Sequence, residues 1–286
     1  MSTPASKYKF KVTKFKFNLI MVIQIVLVII LTFLINLITT LSYSVRIVGI
    51  RTGRIAISFA LFNILVLISR TANGFQAPLL ASSIEKNIKS GFESNLGDFR
   101  WIIFSCTIAT IIGGLLIPTF QRILSVAVNK FSIYKSVPKV IFHGFSKGGM
   151  SYFKDSLAVP NVKNISQINL KDDFPWKVFL MNVIAVAIIT VGVISSLYAG
   201  YLNPDLRTTS STLSSVINGF ATILMFVFID PFLSIMTDEV VLGECKEAVF
   251  RKYIVYMVLA RIAGTLIAQV IFVPSAKLIA YISGVL

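Results

Sequence analysis

Long apolar runs alternate with short basic segments along the chain, and the runs predict helices that cross a membrane. Residues 17–41 form the first, followed by an arginine- and glycine-bearing segment, SYSVRIVGIRTGR, at 42–54. The next run, IAISFALFNILVLIS at 55–69, ends at Arg70. It is short, because crossing roughly 30 Å of hydrocarbon takes about 20 helical residues. Further runs lie at 101–119, 177–198, 214–236 and 252–272, the last continuing past Pro274. The pattern predicts an all-α, polytopic integral membrane protein of about six transmembrane helices, one membrane domain over 1–286. Trp101, Trp176, Tyr198, Tyr201, Tyr253 and Tyr256 fall near predicted span ends, where amphipathic rings favour the headgroup layer.

The flanks set an expectation for topology. Residues 1–16 carry Lys7, Lys9, Lys11, Lys14 and Lys16 with no acid, the usual mark of a cytoplasmic extension. The connection at 121–176 is also basic. Within it, PKVIFHGFSKGGMSYFKDSLAVP (138–160) mixes aromatics and lysines without a span-length run, and reads either as an interfacial segment or as a basic loop weakened for helix by Gly144, Gly148 and Gly149. Six crossings from an inside N-terminus place 121–176 on the outer face, against the charge rule. A re-entrant 55–69 returns it to the cytoplasm, and such backbone is allowed where protein or a wet cavity covers it. Six spans are preferred, since the flanks can lengthen the short run.

Composition agrees with a membrane protein: 56% hydrophobic residues, a mean hydropathy of +0.83, and 14% charged residues where a soluble domain carries about 25%. The net charge of +15 sits between apolar runs rather than on a polar domain, which favours anionic lipid over nucleic acid as a partner. Run 17–41 is longer than a secretory signal core, so it reads as a permanent span. Cys106 and Cys245 match no metal or redox spacing, and the single His143 rules out a two-histidine zinc motif. GIRTGR lacks the spacing and the Lys-Ser/Thr ending of a P-loop. No nucleophile and base set stands out. No metal, cofactor or catalytic residue is expected, and binding and movement remain.

The candidate residues are cations in or beside spans. If 43–54 is helical, Arg46 and Arg54 point to similar sides, with Gly49 and Gly53 on a neighbouring strip that lets backbones approach. Guanidinium forms forked bonds to phosphate oxygens, so Arg46, Arg51 and Arg54 suit a lipid-linked diphosphate. Snorkelling to the headgroups explains them equally well. Arg261 is different, for it lies inside 252–272, where a charge is costly and faces a partner or a wet cavity. Asp230, in FVFIDPFLS, is its best acidic partner, as an ion pair or a coupling group. Asn36, Asn63, Asn182, Asn218 and Gln269 fit interhelical hydrogen bonds. Gly113, Gly114 and Gly219 fit close helix contacts, and Asp238, Glu239, Glu244 and Glu247 a solvated loop face.

The stretch LSYSVRIVGIRTGRIAISFALFNILVLISRTANGFQAP (41–78) resembles the amino-terminal signature of the Amj family, bacterial lipid II flippases that can substitute for MurJ. The similarity rests on Ser42–Tyr43, Arg46, Gly49, Arg51–Thr52, Leu61–Asn63, Ser69–Arg70, Asn73 and Gln76–Pro78. The basic extension 1–16 departs from the pattern. So does Thr40, where the pattern carries a glutamate or similar polar residue. The resemblance implies a multi-pass protein of the bacterial cytoplasmic membrane that moves undecaprenyl-diphosphate-linked disaccharide pentapeptide, lipid II, to the outer leaflet. It implies that Arg46, Arg51, Arg54 and Arg70 help hold the diphosphate, with Asn63 beside them and Arg261 facing them. A homodimer would close such a cavity. The rival expectation is a non-transport membrane module whose basic segment 130–171 recruits anionic lipid or a protein.

Overall fold

The computed structural model describes residues 4–90, 96–136, 139, 156–158 and 174–286, without the side chains of 4–19 and 90. The helices are α1 (Pro4–Leu41), α2 (Tyr43–Thr52), α3 (Ile55–Ser90), α4 (Leu96–Tyr134), α5 (Trp176–Leu202), α6 (Arg207–Leu224), α7 (Asp230–Val241) and α8 (Glu247–Val285), with a 3-10 turn at Pro204–Leu206 and a π turn at Met225–Ile229. Among the described residues there is no strand. Among the described residues, six helical stretches are long and apolar enough to cross a bilayer: Ile20–Thr52, Ile55–Lys89, Leu96–Tyr134, Trp176–Leu202, Pro204–Val241 and Glu247–Val285. The expected all-α, six-span architecture is the observed one. The even number of crossings puts the α2–α3 turn, the end of α4, the start of α5 and the α7–α8 turn on one face, called here the arginine face, with both ends of the chain on the other.

Several elements run further than the apolar pattern indicates. The short run 55–69 is the first half of α3, a 36-residue helix with Pro78 inside it, so it spans rather than re-enters. Helix α4 passes Pro118 and ends at Tyr134, and α8 passes Pro274 to Val285. The fifth crossing is composite. Pro231 has no N–H to give the preceding turn, and the Asp230 N–H reaches back to the Met225 carbonyl, the five-residue spacing of a π turn. Most of the stretch 138–160, His143 included, and most of the 130–171 segment lie outside the described residues, as do the lysine side chains of 1–16.

Between α1 and α2 the chain bends at a cluster of hydroxyls that bond back to their own helix. Thr39 and Thr40 donate to the carbonyls of Ile35 and Asn36, Ser42 to Thr39 and Ser44 to Leu41, at 2.6–2.7 Å. Such back-bonding competes with the helical ladder and bends it. Helix α2 then stops at Gly53, whose φ of +65° only glycine adopts without cost. The Gly53 N–H donates to Ile50 O at 3.2 Å and the Arg54 N–H to Gly49 O at 3.0 Å. This is a Schellman closure. A Cβ on Gly49 would lie 2.9 Å from the Ile55 Cα, so the tight α2–α3 turn needs both glycines.

Packing forms two apolar clusters at different depths. One, toward the arginine face, joins Ile47, Val48, Leu124, Val128, Ile254 and Met257. The other, toward the opposite face, joins Val28, Leu80, Phe99, Ile103, Ile194 and Phe272. Close helix approaches hold the frame: a Cβ on Gly113 or Gly114 would press on Thr40 or Val258, and one on Gly264 would lie 2.8 Å from the Val183 carbonyl oxygen. Small residues at such seams are how membrane helices gain contact area. Gly219, read from sequence as another close contact, faces open space. Tyr256, expected near the headgroups, is buried under Phe174, with ring centroids 4.5 Å apart.

Candidate substrate site

The Gly53 turn decides where the arginines go. The expectation that Arg46 and Arg54 share one helical face fails because Arg54 lies beyond the helix end. Arg54 instead bonds the Ser132 hydroxyl near the end of α4. Arg46 turns toward the fifth crossing: its Nη1 donates to Ser234 Oγ at 3.0 Å, its Nη2 lies 3.7 Å from Asp230 Oδ1, and its guanidinium sits 5.3 Å from the Phe59 ring centroid. Asp230 therefore pairs with Arg46, not with Arg261. The first α7 turn follows directly on the π turn, which aims both Asp230 and Ser234 at α2.

Arg51 points the other way, into a groove between α2, α4 and α8. Its Nε and Nη2 both donate to Glu247 Oε1, at 3.0 and 2.7 Å, and its Nη1 donates to Gln121 Oε1 at 3.3 Å. Arg251, one turn along α8, lies 3.4 Å from the same glutamate oxygen. Arg122 completes the rim and makes no hydrogen bond or ion pair among the described residues. Below the rim the groove is apolar, floored by residues such as Ile111, Gly114, Val258 and Ile262, and holds about 440 Å³. Leu115 and Leu259 on its wall are exposed, so it opens sideways toward lipid. From Arg251 to Ile262 is roughly 16 Å of helix, about half the hydrocarbon thickness. Thr119 pins the described part of the long connection over one edge, accepting from the Ala158 N–H at 3.0 Å and donating to its carbonyl at 3.1 Å.

At the foot of this groove, between the two apolar clusters, lies a buried polar layer. Thr32 and Asn36 on α1, Gln76 on α3, Cys106, Thr107 and Thr110 on α4, and Arg261 and Thr265 on α8 contribute to it. Gln76 donates to Thr32 Oγ1 at 2.8 Å. The Cys106 thiol donates to the Ile102 carbonyl of its own helix at 3.7 Å, and Asn36 donates to the Thr32 carbonyl at 3.0 Å. Arg261 is 3% exposed, and its Nε has no hydrogen-bond partner. Among the described residues no carboxylate pairs with it. An isolated guanidinium at this depth is costly, and a polar lining around it is what such a charge requires.

Not every expected site residue joins these groups. Asn63 and Arg70 are exposed on α3, and neither bonds to the other arginines. Asn182 serves as glue, donating to the Met257 carbonyl at 3.1 Å and the Tyr43 hydroxyl at 3.3 Å. Gln269 does likewise, donating to the Arg100 carbonyl at 2.8 Å. Gln121, Arg122 and Arg251 are not marked by the sequence pattern, and Glu247 is marked only as part of a solvated loop face. Their signal was weak: Pro118 reads as the end of a span, and Glu247 as one more loop acid.

Comparison with known proteins assigns the family. The family model described as "Amj: Alternate to MurJ" matches residues 31–283. The chain is 35% identical over 261 residues to "Lipid II flippase Amj" of Bacillus subtilis (strain 168), covering 91% of this chain and 97% of that protein. No solved structure matches the chain. With the family model spanning the arginine turn, the groove and the polar layer alike, the chain belongs to the Amj (alternate to MurJ) family.

Proposed function

We propose that this protein translocates lipid II across the bacterial cytoplasmic membrane, with arginines holding its diphosphate. The family and the Bacillus relative support the substrate. The observation that carries the mechanism is Arg261, a buried guanidinium with no carboxylate among the described residues, in a polar layer midway between the two apolar clusters. A diphosphate crossing the bilayer needs a cation and hydrogen-bond donors at that depth, because an unpaired charge in hydrocarbon is strongly disfavoured. The polyprenyl tail stays in lipid beside the open groove wall. The Arg46–Asp230 contact joins α2 to the fifth crossing beside the π turn, a place where separation of the two parts would open a path, and Asp230 competes with phosphate for Arg46.

The test is reconstitution in liposomes with fluorescent lipid II and measurement of headgroup accessibility in each leaflet. Protein-dependent exchange between leaflets is expected. Its absence from a folded, correctly reconstituted protein overturns the reading. With the N-terminus cytoplasmic, the arginine face is the outer one. Cys245, partly exposed in the α7–α8 turn, is then labelled by a membrane-impermeant maleimide in intact cells, while buried Cys106 is not. Labelling of Cys245 only after permeabilisation assigns the opposite orientation and makes the basic 121–176 connection cytoplasmic.

A further inference from the structure

The rim of the α2–α4–α8 groove carries Arg51, Arg122 and Arg251 around one carboxylate, Glu247, and below it runs an apolar channel open to the side. We propose that this groove is the seat of a polyprenyl diphosphate, that Arg122 and Arg251 bind the diphosphate together with Arg51, and that Glu247 is an internal stand-in for the phosphate which the ligand must displace. The inference rests on the lipid II reading and assigns residues to it.

Three features of the site converge. First, Glu247 Oε1 takes the positions a phosphate oxygen would take: it accepts from both Nε and Nη2 of Arg51 and lies 3.4 Å from Arg251 Nε. Two donors on one edge of the guanidinium converge on that single oxygen, which a phosphate oxygen can replace while a second phosphate oxygen completes the fork. Second, three guanidinium groups against one carboxylate leave two net positive charges at the rim. The diphosphate diester of lipid II, with two charges, matches that surplus, and a diphosphate monoester such as farnesyl diphosphate meets or exceeds it, whereas the phosphodiester of a common phospholipid, with a single charge, leaves part of it uncompensated. Arg122, without a partner among the described residues, is already free to bind. Third, the floor is aliphatic, with Ile111, Ile254, Val258 and Ile262, and the exposed Leu115 and Leu259 leave the wall open for a long chain to continue into the bilayer.

Glu247 also gives the site a release step. A rim of three unopposed arginines would hold a diphosphate too firmly for turnover. A glutamate that regains Arg51 and Arg251 as the diphosphate departs offsets the loss of the ligand's contacts. The ligand-free groove is thus already paired, and binding is an exchange of anions.

The experiment compares full-length protein with Glu247→Gln, Arg122→Gln and Arg251→Gln in detergent, measuring binding of farnesyl diphosphate by native mass spectrometry. Pyrophosphate and phosphatidylglycerol serve as competitors. Glu247→Gln is expected to tighten binding about 5- to 10-fold, and Arg122→Gln and Arg251→Gln to weaken it by a similar factor. The polyprenyl diphosphate should outcompete both pyrophosphate, which lacks the tail, and phosphatidylglycerol, which lacks the second charge. Unchanged or weaker binding in Glu247→Gln, or binding indifferent to Arg122 and Arg251, overturns the assignment. So does phosphatidylglycerol competing as well as the diphosphate. Lipid II transport on the same preparations separates this inference from the function it rests on: transport that proceeds with groove variants behaving as wild type defeats the groove alone, and a groove that binds diphosphate in a protein that moves no lipid II defeats the flippase reading alone.

Discussion

Arg51→Ala is expected to lower the initial rate of lipid II translocation by about 10- to 100-fold, while Arg51→Lys recovers only part of the loss. A hydrogen bond to a charged group contributes about 1.5–3 kcal/mol, and Arg51 offers a phosphate both arms of its fork. Lysine restores the charge without the planar geometry, so the gap between the two variants measures the fork itself. In the ligand-free protein the same side chain spans Glu247 on α8 and Gln121 on α4. That bridge is partly exposed and contributes little to stability, so both variants should fold with a melting temperature within a few degrees of wild type. Rates are therefore compared per folded molecule. A rate unchanged in Arg51→Ala would leave the groove without its principal cation and assign Arg51 to snorkelling, the reading the sequence left equally open.

Much of the architecture could be read from the pattern of apolar runs, because a bilayer imposes length and hydropathy directly on the residues that cross it. What the pattern missed has a physical explanation in each case. Run 55–69 is short in apolar pattern because Arg70, Asn73 and Pro78 interrupt the signal, yet α3 continues through all three with each of them exposed. The extensions of α4 and α8 pass through prolines, which membrane helices accommodate when neighbouring groups satisfy the freed carbonyls. The condition that 43–54 is one helix is not met, and the left-handed glycine that breaks it leaves no mark in hydropathy. Gly53 ends α2 and sends Arg46, Arg51 and Arg54 to three different partners.

The site was legible in type rather than in geometry. Guanidinium groups next to spans were visible, and so was the anomaly of Arg261. Which anion each one faces was not, since pairing depends on how helices distant in sequence pack. Asp230 is close in sequence to no candidate arginine, and the π turn ahead of Pro231 aims it at Arg46 instead of Arg261. Glu247 has the same composition as its neighbouring loop acids, but it opens α8 at the rim of the groove, where Arg51 reaches across from α2. The polar layer around Arg261 emerges only when Thr32, Gln76, Thr107 and Thr265, unremarkable singly, are stacked at one depth.

Arg261→Met is the substitution with the largest expected separation between folding and function. Replacing a buried charge by an apolar side chain of similar length removes a desolvation cost, and such exchanges are often neutral or stabilising. The Met variant should therefore melt at or above the wild-type temperature. Its transport should fall about a hundredfold, since placing a charge at the bilayer centre without a counter-ion costs about 2.5–3.5 kcal/mol and each 1.4 kcal/mol is about tenfold. Arg261→Lys, which keeps the charge with fewer donors, should fall between. Farnesyl diphosphate binding at the groove rim should survive in Arg261→Met, because Arg51, Arg122 and Arg251 lie roughly half a bilayer from the polar layer. That combination, binding kept and crossing lost, is specific to a cation that serves the diphosphate in transit. A Met variant that melts lower yet transports normally per folded molecule would make Arg261 a structural element of the helix bundle, and the route of the diphosphate would then have to avoid the polar layer.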